Sequence, residues 1–224
     1  MRRGLARLAN RYPEVLKLET AEDKLGIPYL VDCSDGEKCV VDIVTLTDFN
    51  SSAEEKVQVY ISGALHGNER IGPQASYYLI EYLASNFGKD PYLTNLMRTR
   101  ELVITPMTNA YGFSHDIREE QVVLASNNSK RTFDPNRDFP YNNSANQCLN
   151  TVAGRTIYKL MVENLFVSAI TFHGGINVIG YPWGSNNRVY RKRSWNDMIA
   201  NEAPDHVALH SLGEAMLEAA GNNI

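Results

Sequence analysis

Two histidines and a glutamate carry the chemistry this sequence offers first: His66, Glu69 and His173. His66 and Glu69 sit three residues apart in Ser62-Gly63-Ala64-Leu65-His66-Gly67-Asn68-Glu69-Arg70, where an apolar strand gives way to a loop before a helix. An H-x-x-E pair in a turn can point an imidazole and a carboxylate at one ion, a combination suited to zinc. His173 ends the apolar run Ala169-Ile170-Thr171-Phe172, and Gly174-Gly175 after it permit close backbone approach. Singly these signals are weak, because a lone histidine at a strand end is more often a satisfied core residue. Together they supply two nitrogens and one carboxylate oxygen and leave a fourth tetrahedral position open. That is the pattern of a catalytic metal site, not a closed structural one.

A third polar segment, Phe133-Asp134-Pro135-Asn136-Arg137-Asp138-Phe139-Pro140, is set between aromatic residues and prolines. An arginine beside an asparagine can grip a carboxylate through several donors. The competing reading is a rigid turn with a surface salt bridge.

The elements that must position these groups follow from hydrophobic periodicity. Strand-like runs occur at 15–20, 28–31, 39–47 and 57–62, then at 101–106 and 166–172. The 3.6-residue period predicts helices over 71–84, 152–165 and 206–220, and a first amphipathic helix ending before Tyr12-Pro13. Pro73 is tolerated in the first helical turn. Residues 107–150 are polar and read as largely loop, which at that length points to function. Alternating strands and helices predict an α/β layer fold with a mostly parallel or mixed sheet, organised as one domain over residues 1–224.

The motifs HGNER, DPNRDFP and FHGG, with Val178-Ile179-Gly180-Tyr181-Pro182-Trp183-Gly184, resemble the zinc metallocarboxypeptidase family, the carboxypeptidase A-like superfamily. NRDFP and HGG are closer to its regulatory N/E branch. The resemblance implies a mixed, mostly parallel β-sheet flanked by helices. It also implies one Zn2+ held by His66, Glu69 and His173, with Asp134 accepting the other ring N–H of His66. Asn136 and Arg137 would hold the substrate's terminal carboxylate, and Arg118 would polarise the scissile carbonyl, with Arg131 its rival. The implied activity is hydrolysis of the last peptide bond of peptides or proteins. Two alternatives stay open: a related zinc deacylase or amidohydrolase, and a non-catalytic module that binds zinc and C-termini.

The pattern breaks in two places. An acidic residue commonly follows the Tyr-Pro-aromatic turn in the N/E branch, whereas this chain has Gly184, which weakens a preference for basic side chains. The family's general-base glutamate, on a late strand, would lie beyond residue 224, and Glu202, Glu214 and Glu218 do not match its context. The domain is therefore expected to be incomplete at its C-terminus and to bind better than it cuts.

Composition limits the remaining options. A formal net charge of −4 gives no sign of nucleic-acid binding, and no apolar run is long enough to span a bilayer. G-x-S-x-G, G-x-G-x-x-G and P-loop motifs are absent. Met1-Arg2-Arg3 lacks a signal-peptide apolar region behind it. Cys33 and Cys39 flank a turn, so a disulfide is as open as free thiols there, and Cys148 is left over. An extracellular or secretory setting is slightly favoured. The sequons starting at Asn50, Asn127 and Asn142 decide little. His206 and His210, i and i+4 on a helix without H-E-x-x-H, read as a structural face. The basic run Arg188, Arg191, Lys192 and Arg193 near Trp195 reads as a solvated loop.

Overall fold

The computed structural model describes residues 1–51, 55–124, 128–140, 148–183, 189–191, 198–200 and 202–221. Gly184, the sequons at Asn127 and Asn142, and most of the basic run (Arg188, Lys192, Arg193, with Trp195) lie outside the described residues. The chain divides into two compact units, Met1–Gly174 and Gly175–Ile224.

The first unit is built on five strands in spatial order β1-β2-β4-β3-β7. These are β1 (Leu16–Thr20), β2 (Asp42–Leu46), β3 (Val57–Ser62), β4 (Arg100–Thr105) and β7 (Phe166–Thr171). β3 pairs in parallel with both β4 and β7, while β2 runs antiparallel to β1 and β4. Four strands therefore share one direction and only β2 is reversed. The mixed, mostly parallel sheet flanked by helices is the expected architecture.

Strand alternation sorts side chains onto two faces. Val44, Leu46, Ile61, Leu102 and Ile104 join Leu5 and Leu8 of α1 (Arg2–Arg11), Ile80 and Leu83 of α3 (Ile71–Asn86) and Met97 of α4 (Pro91–Thr99). Ile43, Tyr60 and Val103, one residue out of phase, pack with Ala21 and Leu25 of α2 (Ala21–Leu25) and Ile157 and Leu160 of α6 (Val152–Glu163). Both faces are covered, which is why β2 and the ends of β3 and β4 are buried.

The helix ends are chemically marked. Asp90 caps α4 by accepting from the Leu93 N–H at 2.9 Å, with Pro91 in the first turn. Thr151 caps α6 through the Gly154 N–H at 2.9 Å. α2 and α4 were not foreseen, being short and flanked by stronger patterns.

Two expectations need correction. Residues 28–31 form no strand; an isolated bridge joins Asp32 to Lys38 around the turn that Cys33 and Cys39 close with a disulfide. The 107–150 segment is not largely loop among its described residues. It holds α5 (Ala110–His115), a hairpin of β5 (Glu120–Val123) and β6 (Lys130–Phe133), and a 3-10 turn at Pro135–Arg137. These pieces are too short and too polar for periodicity to reveal.

The second unit contains two paired strands, β8 (Val189–Arg191) and β9 (Met198–Ala200), and α7 (His206–Ala219). His206 and His210 lie one turn apart on α7, with rings 5.9 Å apart, and both Nδ1 atoms face the Tyr181 hydroxyl at 3.3 and 3.4 Å.

Candidate metal and carboxylate site

Three neighbouring parallel strands deliver the site from the same end. β3 stops at Ser62, and Ala64 takes a left-handed φ of 49° that turns the chain toward His66. An alanine at positive φ is strained, a cost tolerated mainly where geometry matters. β7 stops at Thr171, and the Phe172 N–H donates to the Ser62 carbonyl at 2.8 Å, so His173 emerges beside His66. The β4 end continues through Thr108 and Asn109, whose N–H groups bond the Gly63 and Ala64 carbonyls.

Tight backbone approach then locks the loop. A Cβ on Gly67 would sit 2.0 Å from the Gly112 carbonyl carbon, so no side chain fits between this loop and α5. The Arg118 carbonyl accepts from both the Gly67 N–H and Asn109 Nδ2, at 3.2 Å each. Arg118 is thereby tied to the loop bearing His66.

The metal-type donors converge. His66 Nδ1 lies 2.8 Å from Glu69 Oε1, His173 Nδ1 2.9 Å from Glu69 Oε2, and the two Nδ1 atoms are 3.2 Å apart. Among the described residues these three form the one His/Cys/Asp/Glu group with ligand atoms mutually within 4.8 Å. Tetrahedral zinc with bonds of roughly 2.0–2.1 Å would hold its ligand atoms about 3.3 Å apart. The observed spacings are close to that, and two imidazoles with one carboxylate are a zinc-type donor set, so the residues fit the ion.

Around this cluster sit the supporting charges. His66, 3% exposed, points Nε2 at Asp134 Oδ1, 3.1 Å away. A hydrogen on Nε2 directed at that carboxylate leaves Nδ1 with its lone pair toward the cluster. Arg118 reaches Glu69 Oε1 at 3.5 Å through Nη1 and Asp134 Oδ2 at 3.3 Å through Nη2. Arg131 is exposed on β6, opposite Val122.

Burial raises the Glu69 carboxyl, but hydrogen bonds from His66, the Gly174 N–H and His173 outweigh it and hold the group below the usual range. At Asp134 burial is likewise outweighed, by the Asn136 N–H, His66 and Arg118. Both carboxylates therefore stay ionised at neutral pH.

Asn136 and Arg137 occupy the 3-10 turn that follows Asp134 directly, and Arg137 is exposed, its Nη1 2.9 Å from the Asn136 carbonyl. The turn is anchored from behind by Asp138, 3% exposed, which accepts from the N–H and side chain of Asn150 and of Thr151 at 2.7–3.0 Å. Glu120, 2% exposed, accepts from the Val152 and Ala153 N–H groups at 2.6 and 3.0 Å. The first turn of α6 thus holds both the 3-10 turn and β5. Sequence reasoning missed Asn109, Asp138 and Glu120, although Asn109 before α5 carries a capping signal.

The family model described as zinc carboxypeptidase matches residues 2–223. Carboxypeptidase D of Rattus norvegicus is 28% identical over 186 residues, covering 82% of this chain and 13% of that protein. The chain thus spans about an eighth of the length of such relatives. Among solved structures, carboxypeptidase A from Helicoverpa armigera aligns with a TM-score of 0.69 at 19% identity, covering 97% of this chain and 52% of that one. Thrombin activatable fibrinolysis inhibitor aligns with a TM-score of 0.70 at 16% identity, covering 98% and 55%.

Proposed function

The chain belongs to the zinc carboxypeptidase family, and from that premise we propose that the protein is a metallocarboxypeptidase acting on the C-terminal peptide bond of peptides or proteins. Residues 1–224 are assigned to one catalytic domain. The observation that carries this reading is the convergence of His66, Glu69 and His173 beside an Asn136-Arg137 turn reached through Asp134.

His66, Glu69 and His173 would hold one Zn2+. When bound, zinc supplies Lewis-acid chemistry for amide hydrolysis. The remaining work falls to the chain's own groups. Asp134 fixes the tautomer and tilt of His66. The Gly174 N–H, 2.9 Å from Glu69 Oε2, helps orient the carboxylate. Arg137 and Asn136 recognise the terminal carboxylate, which confines cleavage to the last bond. Arg118, kept near the ligands by its carbonyl bonds and ion pairs, would turn its guanidinium to the charge that develops on the scissile carbonyl oxygen. The Cys33–Cys39 disulfide supports an extracellular or secretory setting. Among the described residues no helix is long and apolar enough to cross a membrane.

Elemental analysis of His66→Ala should show loss of the zinc retained by the parent protein; undiminished zinc would sink the ligand assignment. Peptides with free and amidated C-termini test the substrate class, since a carboxypeptidase cleaves only the free acid. Equal turnover of both would point to a deacylase or amidohydrolase.

A further inference from the structure

Beyond Glu69 the chain enters a second feature that the proposed reaction does not use. A cleft of about 550 Å3 lies between the start of α1 and the start of α3, and the α5 residue Phe113 forms part of its wall. Arg3, Arg7 and Arg70 line it, with Tyr77 and Tyr78. A local concentration of three guanidiniums runs against the chain's net charge of −4.

The cleft is built, not incidental. Arg3 and Arg7 are i and i+4 on α1 and so share a face. Both are exposed, and neither forms an ion pair with a described residue. Arg70 is held differently: its guanidinium lies 4.2 Å over the Phe113 ring and 2.7 Å from Asp116. Gly4 lets α1 approach so closely that an added Cβ would meet the Tyr77 hydroxyl at 2.7 Å, so the aromatic wall is part of the helix crossing.

We propose that this cleft is a specificity subsite for acidic side chains of the peptide substrate, at residues N-terminal to the scissile bond. The inference rests on the carboxypeptidase reading above. The contacts set the cleft beside the ligand loop. Asn136 and Arg137 would take the terminal carboxylate; Asp134 links their turn to His66, and Glu69 leads directly into Arg70. With a C-terminus anchored at that turn, the upstream residues would run past the ligands and meet the cleft that Arg70 joins to the ligand loop. Arg3 and Arg7, spread along the α1 wall, suit successive carboxylates better than a single compact anion. Aromatic faces opposite them accept the peptide's apolar stems.

The test uses labelled hexapeptides ending in a D-residue to resist cleavage, with three Glu or three Gln at the N-terminal positions. Each is made with a free or an amidated C-terminus, and binding is read by fluorescence anisotropy. The Glu peptide should bind roughly five- to tenfold tighter at about 50 mM salt, with the gain collapsing near 500 mM. Arg3→Ala/Arg7→Ala should abolish that gain, and if the double variant fails to fold, Arg7→Glu alone should abolish or invert it. Equal affinity for Glu and Gln peptides, or a preference untouched by these variants, overturns the subsite. Amidation should weaken every peptide. Amidation without effect, alongside an intact acidic preference, would refute the carboxylate anchor and leave the subsite standing.

Discussion

Glu120 offers a sharp test of the packing behind the Asn136-Arg137 turn. Its side chain is fully buried, and burial pushes the carboxyl from its ordinary 4.5 up to about 7, with Asp138 adding to the rise. The Val152 and Ala153 N–H groups and Arg155 pull the other way and lose. An unfolded Glu120 ionises near 4.5, whereas the folded protein keeps the proton until about 7. Across that window the folded state binds more protons, so stability falls as pH rises and the full cost is present above 7. At about 1.4 kcal/mol per pH unit the cost is on the order of 3 kcal/mol. Glu120→Gln cannot ionise, so it escapes that cost. It also turns an NH2 group toward one of the two helix N–H donors, which costs about 1–2 kcal/mol at every pH. The variant should therefore be less stable than the parent near pH 5 and as stable or more stable near pH 8. Urea unfolding at both pH values measures the difference, and contributions common to both proteins cancel. A parent-minus-variant difference that stays within about 0.5 kcal/mol between the two pH values would refute the reasoning.

Three further outcomes are expected. Asp138→Ala removes four hydrogen bonds behind the Asn136-Arg137 turn, two of them buried, and should cost about 3 kcal/mol or more in denaturant unfolding; a change under about 1 kcal/mol would contradict the anchor. Gly67→Ala places a Cβ 2.0 Å from the Gly112 backbone, so the loop bearing His66 must shift; an unchanged melting temperature together with full zinc content would rule that out. Cys39→Ser opens a disulfide spanning a sequence separation of 6 and should cost about 2 kcal/mol. Reductant should lower the parent's melting temperature by a matching amount and leave the variant's unchanged.

Much of the site was legible because its chemistry is local in the chain. His66 and Glu69 lie three residues apart, and Asp134, Asn136 and Arg137 fall within four residues, so motif spacing alone sets them side by side. Core strands such as Val57–Ser62 were legible for a similar reason, since an apolar run long enough to be buried has few alternative places to go. The polar stretch after residue 107 was not, because β5, β6 and the 3-10 turn draw little on a hydrophobic face. They are held instead by Asp138 and Glu120 at the start of α6, partners 12 to 33 residues away.

By itself, then, the sequence determined the donor types, their order and the layered α/β architecture. Only the tertiary structure decided that His173, 107 residues beyond His66, meets it at 3.2 Å. Only it placed Arg118, not Arg131, against Glu69 and Asp134. The physical reason is the parallel pairing of β3 with both β4 and β7, which brings three distant strand ends to one edge. Pairing of that kind is set by packing on both faces of the sheet, and no local window of sequence contains it.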